Sequence, residues 1–201
     1  MITIVDYGLG NQGSICNMMK KIGATTKVAS TREEILNAEK LILPGVGSFD
    51  TGMNYIKEKN LLDPLQEKVL GEKTPILGIC LGMQLLTQFS EEGNLPGLGW
   101  IAAKTSRFPT KPGLKVPHMG WNLVTPTQES ILTNNLPEET RFYFVHSYCV
   151  HVDNSEDSIL KGNYGISFDA AIQHENIFGA QFHPEKSHKF GMQFLKNFVS
   201  L

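Results

Sequence analysis

Cys80 has a glycine at each second neighbour, in the run Gly78-Ile79-Cys80-Leu81-Gly82. Residues 74–79 before it read as a buried strand, and residues 81–89 after it as an amphipathic helix. Small residues two before and two after a nucleophile let the chain turn sharply and leave the side chain exposed above a sheet, the thiol form of a nucleophile elbow. A thiol in that place faces the free N–H groups and dipole of a helix start, which favour the thiolate. Cysteine is also among the most frequently buried residue types; the paired glycines argue against a plain core cysteine here. A base for such a thiol stands about a hundred residues later. Residues 177–182 read as a strand, and His183-Pro184-Glu185 follows at its C-terminal end. Pro184 forces His183 into extended backbone, and in an extended chain residues two apart point to one side. Glu185 is thereby placed to hold the His183 imidazole while that imidazole takes a proton from a nucleophile, the logic of a catalytic triad.

The elements that would position these groups alternate between strand and helix patterns, the signature of a parallel sheet covered on both faces. Residues 2–5 read as a first strand. Ile15, Met18, Met19 and Ile22 then recur at helical spacing, with Ser14 as the expected N-cap and Gly23 past the end. Residues 25–29 read as a second strand, Thr31 and Glu34 as a capping box, and residues 41–43 as a short buried strand stopped by Pro44-Gly45. Residues 141–145 and 170–172 read as later strands, antiparallel neighbours in the second half. Phe190, Phe194, Leu195 and Phe198 give a closing helix its apolar face. Residues 93–117, rich in glycine and proline, read as a variable loop within one domain over residues 1–201. The expected fold is α/β: a doubly wound, mostly parallel sheet with helices on both faces and some antiparallel strands in the second half.

Composition narrows the function classes. A chain of 201 residues is long enough for one well-buried core and short for two domains. The formal net charge of −2 gives no electrostatic footprint for nucleic acid or an anionic membrane. The opening Met1-Ile2-Thr3-Ile4-Val5-Asp6 has no basic n-region, and the longest apolar stretch, around residues 75–86, is below a membrane span. Cys16, Cys80 and Cys149 are odd in number and widely separated, which fits a reducing cytoplasm; Cys16 and Cys149 read as core or near-core thiols. His151, His174 and His188 read as surface or packing residues. No set of side chains has metal-ligand spacing, and no cofactor is expected.

Hydrolysing an amide requires backbone N–H donors for the oxyanion. The N–H of Leu81, the residue after the nucleophile, is one expected donor, and Pro44-Gly45-Val46-Gly47 is the natural source of a second. Four segments then carry a resemblance along almost the whole chain: Pro44-Gly45-Val46-Gly47-Ser48-Phe49, Gly78-Ile79-Cys80-Leu81-Gly82-Met83-Gln84, Pro117-His118-Met119-Gly120-Trp121-Asn122, and Gln181-Phe182-His183-Pro184-Glu185-Lys186-Ser187. With them the chain resembles the class I glutamine amidotransferases, the Cys-His-Glu glutaminases, and within these the branch that serves imidazole glycerol phosphate synthases. The resemblance implies a flavodoxin-like fold, and hydrolysis of glutamine to glutamate and ammonia by Cys80, His183 and Glu185. It implies an oxyanion hole from the N–H groups of Leu81 and Val46, the latter after a peptide flip. Gly47, Gln84, His146, Ser147 and Tyr148 are implicated in binding glutamine, with either Glu91 or Glu92 on its amine. It further implies a heterodimer with a (β/α)₈-barrel cyclase of histidine biosynthesis, met by Asn11, Pro117, His118, Met119, Trp121 and Lys186.

Gly8-Leu9-Gly10-Asn11-Gln12-Gly13 points elsewhere. It matches G-x-G-x-x-G between a strand and a helix, so an NAD(P)-dependent oxidoreductase is the rival of another class. The acidic residue expected at the end of the second strand is missing; Ser30-Thr31-Arg32 stands there. Two closer rivals keep the glutamine chemistry. One is a stand-alone γ-glutamyl hydrolase. The other is a paralogous subunit with a different acceptor, as in a surface-sugar pathway, because Gln12-Gly13 replaces the family's more usual apolar and bulkier pair.

Overall fold

A computed structural model describes all 201 residues. Strand β1 (Ile2–Val5) divides its side chains between two cores, Ile2 and Ile4 on one side and Val5 on the other. The same period of two recurs in β3 (Leu41–Gly45), where Ile42 opposes Leu41 and Leu43, and in β4 (Ile76–Cys80), where Leu77 and Ile79 oppose Ile76. Strands apolar on both faces need cover on both. One face receives α1 (Gln12–Lys21) and the closing helix α6 (His188–Val199), through Ile15, Met19, Phe190, Phe194, Leu195 and Phe198. The other receives α2 (Arg32–Leu36), α3 (Phe49–Glu58), α4 (Leu62–Gln66) and α5 (Leu81–Leu85), through Ile35, Phe49, Met53, Ile56, Leu65 and Leu81.

The parallel part of the sheet runs β2 (Thr26–Ala29), β1, β3, β4 and β12 (Ile177–Ala180). Beyond β12 the sheet turns antiparallel through β11 (Ser167–His174), β10 (Ser158–Asn163), β7 (His118–Pro126) and β8 (Arg141–His146). A branch adds β9 (Tyr148–Val152) on β11, then β6 (Ala103–Arg107) and β5 (Phe89–Ser90). This is the expected α/β architecture, but the sheet is not mostly parallel: the part beyond β12 holds more strands than the parallel part. No helix is long and apolar enough to cross a membrane.

Several local expectations hold and several need correcting. The Thr31–Glu34 capping box forms, with both reciprocal hydrogen bonds. The N-cap of α1 is Asn11, whose side chain accepts from the Ser14 N–H at 3.1 Å; Ser14 lies inside the helix. Strand β3 continues through Pro44 and Gly45, because its ladder with β4 reaches Gly45 opposite Cys80. The stretch 93–117 contains β6, whose Ala103 and Thr105 are buried. Strands β8 and β11 are not neighbours; β7 and β10 lie between them.

Candidate active site

Three adjacent parallel strands deliver the chemistry to one edge. In register, Gly45 of β3 pairs with Cys80 of β4, and Ala180 of β12 pairs with Ile79. Cys80, Val46 and the segment from Gln181 to Glu185 therefore emerge together beyond the carboxyl ends of neighbouring strands, where open α/β sheets form their ligand crevice.

The elbow at Cys80 is strained backbone, with φ 56° and ψ −110°, an arrangement that costs on the order of 1–3 kcal/mol in a non-glycine residue. Its flanking glycines are required by space. A Cβ on Gly82 would lie 1.9 Å from the Leu43 carbonyl oxygen, and one on Gly78 would lie 2.6 Å from the Gly82 carbonyl oxygen. The helix that follows is shorter than the sequence pattern implies and is buried on every side, from Leu81 to Leu85. It is not amphipathic, because α3 and the sheet enclose it, and the chain then turns into β5. With five residues it presents a free first turn of N–H groups rather than a long row of aligned dipoles.

His183 is held by backbone on both sides. Its N–H donates to the Tyr143 carbonyl at 2.9 Å, and its carbonyl accepts from Ser187 Oγ at 2.7 Å. Ser187 Oγ in turn accepts from the Tyr143 N–H at 2.9 Å. The residue is extended, as Pro184 demands, with φ −99° and ψ 94°. Glu185 reaches it through the 3₁₀ turn Pro184–Lys186, not by extended alternation, and Nδ1 lies 2.8 Å from Oε1. Both side chains are only 3% exposed. His183 Nε2 and Glu185 Oε2 are sealed from solvent without a hydrogen-bond partner. Burial alone would lower the His183 pKa, but Cys80 and Glu185 outweigh it and raise it to about 9. A buried imidazole that prefers its charged form, beside a sulfur, is the electrostatic setting of a thiolate–imidazolium pair.

Cys80 and His183 line one cleft of about 350 Å³, together with Val46, Gly47, Leu81 and Gln84, and with His146, Ser147 and Tyr148 where β8 passes into β9. Glu92 lines it too, its Oε2 accepting the Phe49 N–H at 2.8 Å, whereas Glu91 Oε2 accepts from the Arg107 N–H. Pro117 and Met119 stand at the cleft, and Met119 is 63% exposed. Asn11 and Lys186 lie outside it on the surface, the Lys186 ammonium 6.0 Å from the Tyr143 ring centroid. Trp121 is exposed and meets the Tyr143 ring edge-on.

Two expected roles do not fit the geometry, and a third narrows to one atom. His118 is buried, stacked between Phe144 and Tyr164, so it presents nothing to a partner. The inward–outward alternation of β7 places it opposite Met119 and Trp121. His146 lines the cleft, yet both its ring nitrogens are engaged, with His118 and with the Tyr148 carbonyl. Gln84 spends its amide nitrogen on Tyr148 and Gln181, which leaves Oε1 for a ligand.

The sequence pattern passed over two residues. Gln181 Nε2 stands 3.8 Å from Cys80 Sγ; its signal was its place two residues before His183 on an extended run. Tyr7 is fully buried and its hydroxyl donates to the Pro44 carbonyl at 2.7 Å, tying down the peptide that precedes Gly45. The glycine loop before α1 also has a packing reason, since a Cβ on Gly10 would lie 2.9 Å from Pro44 Cβ.

The sequence profile of the family Glutamine amidotransferase class-I matches residues 3–201. The "Imidazole glycerol phosphate synthase subunit HisH 2" of Pseudomonas aeruginosa is 52% identical over 201 residues, covering 100% of both chains. The protein of the same name from Methanococcus maripaludis is 54% identical over 199 residues, 99% of this chain and 98% of that one. Among solved structures, PurLQS from Thermotoga maritima superimposes with a TM-score of 0.73 at 15% identity, covering 99% of this chain and 97% of that one. The glutaminase domain of Trypanosoma brucei CTPS gives 0.68 at 15% identity, over 99% and 93%. These structural likenesses speak for the fold alone, and the sequence matches carry the family. The oxidoreductase reading of the glycine loop therefore falls, and the chain belongs to the class-I glutamine amidotransferases.

Proposed function

We propose that the chain is the glutaminase subunit of an imidazole glycerol phosphate synthase, acting in the cytoplasm on histidine biosynthesis. The observation that carries the chemistry is the meeting of Cys80 and His183 at one cleft, with Glu185 on the far nitrogen of the imidazole. The Cys80 thiolate attacks the side-chain amide carbon of glutamine. His183, having taken the thiol proton, passes it to the departing nitrogen, and Glu185 holds the imidazole in place and steadies its charge. The N–H groups of Leu81 and Val46 receive the oxyanion. Water activated by His183 then cleaves the γ-glutamyl thioester, so that glutamine and water give glutamate and ammonia. Gly47, Ser147, Tyr148, the Gln84 Oε1 and Glu92 are the groups placed to hold the rest of the substrate.

Ammonia is a nucleophile only while unprotonated, so it is best passed directly to the next site. The relatives above are named as subunits of a synthase, and a (β/α)₈-barrel cyclase is the partner we assign. Exposed Met119 and Trp121, with Pro117, Asn11 and Lys186, form the face toward it. With that partner present, Cys80→Ala should abolish synthesis from glutamine and spare synthesis from added ammonia, both followed by product formation. Loss of both reactions would sink this division of labour.

A second reading keeps the glutaminase and changes the acceptor. Both relatives carry the number 2 in their names, and Gln12 is turned into its own loop, bonded to Asp6 Oδ1 and the Leu9 carbonyl. The barrel protein that co-purifies with this chain, and the acceptor that accelerates its glutamine hydrolysis, separate the two.

A further inference from the structure

A row of hydrogen-bonded polar groups, most of them buried, connects β7 to the Cys80 sulfur. It begins at Asn122, whose Nδ2 lies 3.3 Å from His118 Nε2 and donates to the Asn163 carbonyl at 2.9 Å. His118 Nδ1 lies 2.9 Å from His146 Nε2, and His146 Nδ1 lies 2.7 Å from the Tyr148 carbonyl oxygen. That oxygen also accepts from Gln84 Nε2 at 3.2 Å. The same nitrogen donates to Gln181 Oε1 at 3.0 Å, and Gln181 Nε2 donates to Cys80 Sγ at 3.8 Å. His118, His146, Gln84 and Gln181 are all buried.

One assignment of protons satisfies every link. A carbonyl only accepts, so His146 carries its proton on Nδ1 and accepts at Nε2. His118 then carries its own proton on Nδ1 and accepts from Asn122 at Nε2. Both rings are neutral: burial lowers His118 to about 4, and burial and the neighbouring histidines lower His146 to about 3. The Tyr148 carbonyl likewise forces the Gln84 amide nitrogen toward it. That nitrogen fixes Gln181 Oε1 toward Gln84, and so turns the Gln181 N–H toward the sulfur.

We propose that Gln181 is a positioning residue for the nucleophile, its amide N–H held against the Cys80 sulfur by the polar row that begins on β7. The inference rests on Cys80 being the nucleophile proposed above. An N–H aimed at sulfur favours the anion and holds its rotamer. The row also gives β7 two functions: Met119 and Trp121 face outward, and His118 and Asn122 face inward toward the site.

The test is the pH profile of Cys80 alkylation by iodoacetamide in the full chain, with the modified site read by mass spectrometry. The titratable groups around the sulfur are His183, Tyr7 and, across the cleft, His146 and Glu92; every variant used leaves them in place. Gln181→Met should raise the alkylation midpoint by about one unit and slow the reaction about tenfold at pH 7. Gln181→Leu, close in volume, removes the donor without adding charge, so it decides the matter if the methionine variant fails to fold. In the synthase complex both should lower kcat and leave KM for glutamine within about twofold. His118→Phe keeps the ring stack and removes both nitrogens; it should shift the midpoint in the same direction by less. Parent-like profiles in both Gln181 variants overturn the positioning role, and a parent-like His118→Phe overturns its origin on β7. Failure of the parent chain to alkylate at Cys80 is different: it would overturn the nucleophile itself.

Discussion

Glu185 is worth more to this site than its single hydrogen bond suggests. It is one of two groups that raise His183 against the pull of burial. In Glu185→Gln the imidazole loses the charge that favours its protonated form, so its pKa should fall below 9 toward the ordinary range. Loss of an orienting carboxylate costs roughly 10²–10⁴ in kcat. NMR titration of the His183 ring and steady-state glutaminase assays check both halves. The same shift is a statement about stability. A histidine raised from 6.5 to about 9 in the folded state stabilises the fold fully below pH 6.5, and that contribution is lost as pH rises through 9. Denaturant midpoints should therefore decline between these pH values in the parent and decline less in Glu185→Gln. Cys80, His183 and Glu185 stood out in the sequence because glycines beside a cysteine mark a turn with no room for side chains, and proline fixes the backbone around His183. Gln181 stood out less, because its place two residues before His183 gives a side but not a role until its hydrogen-bond partners, 97 and 101 residues away, are in place.

At the scale of elements, the elbow is a packing solution before it is a catalytic one. Helix α5 lies so close to β3 that Gly82 has no room for a methyl group against the Leu43 carbonyl. That neighbour is backbone and cannot swing aside, so Gly82→Ala must push strand and helix apart. We expect a loss of about 3 kcal/mol in unfolding free energy, and glutaminase activity lost even where the protein is still folded, measured by denaturation and by thiol labelling of Cys80. Strand β4 was legible as an apolar run between breakers. The helix after it was misread because five residues buried on every side carry no polar face. Residues 118–126 carried no strand reading, so the resemblance assigned inward His118 and outward Trp121 to one surface until the alternation of β7 separated them. Strand β6 was hidden in a stretch rich in glycine and proline, since its partner β9 lies dozens of residues downstream and only pairing makes it a strand.

For the molecule as a whole, the parallel half was readable from local pattern, because β1, β3, β4 and β12 are short apolar runs feeding both cores, while β2 gives only Ala29 to one of them. The order of the antiparallel half was not, because pairing between distant strands follows from which edges remain open after collapse. That half matters to function through the surface it builds. Met119, Trp121 and Leu123 project from alternate positions of β7, at 63%, 45% and 57% exposure, and Met119 stands at the mouth of the cleft. An apolar row of this kind, beside a site that releases a small nucleophile, is a face that a partner should cover. Trp121→Ala removes its central aromatic group, and Leu123→Asp places a charge in a contact that must desolvate. Each should weaken association with the partner subunit at least tenfold, about 1.4 kcal/mol, in a titration followed by calorimetry. Both side chains lie on the surface, Trp121 against the Tyr143 and His188 rings, so thermal midpoints should fall far less than affinity. Turnover of glutamine by the isolated chain should be low in parent and variants alike, and rise only on saturation with partner. A variant that binds as the parent does while losing activity would place Trp121 in the chemistry rather than at the interface.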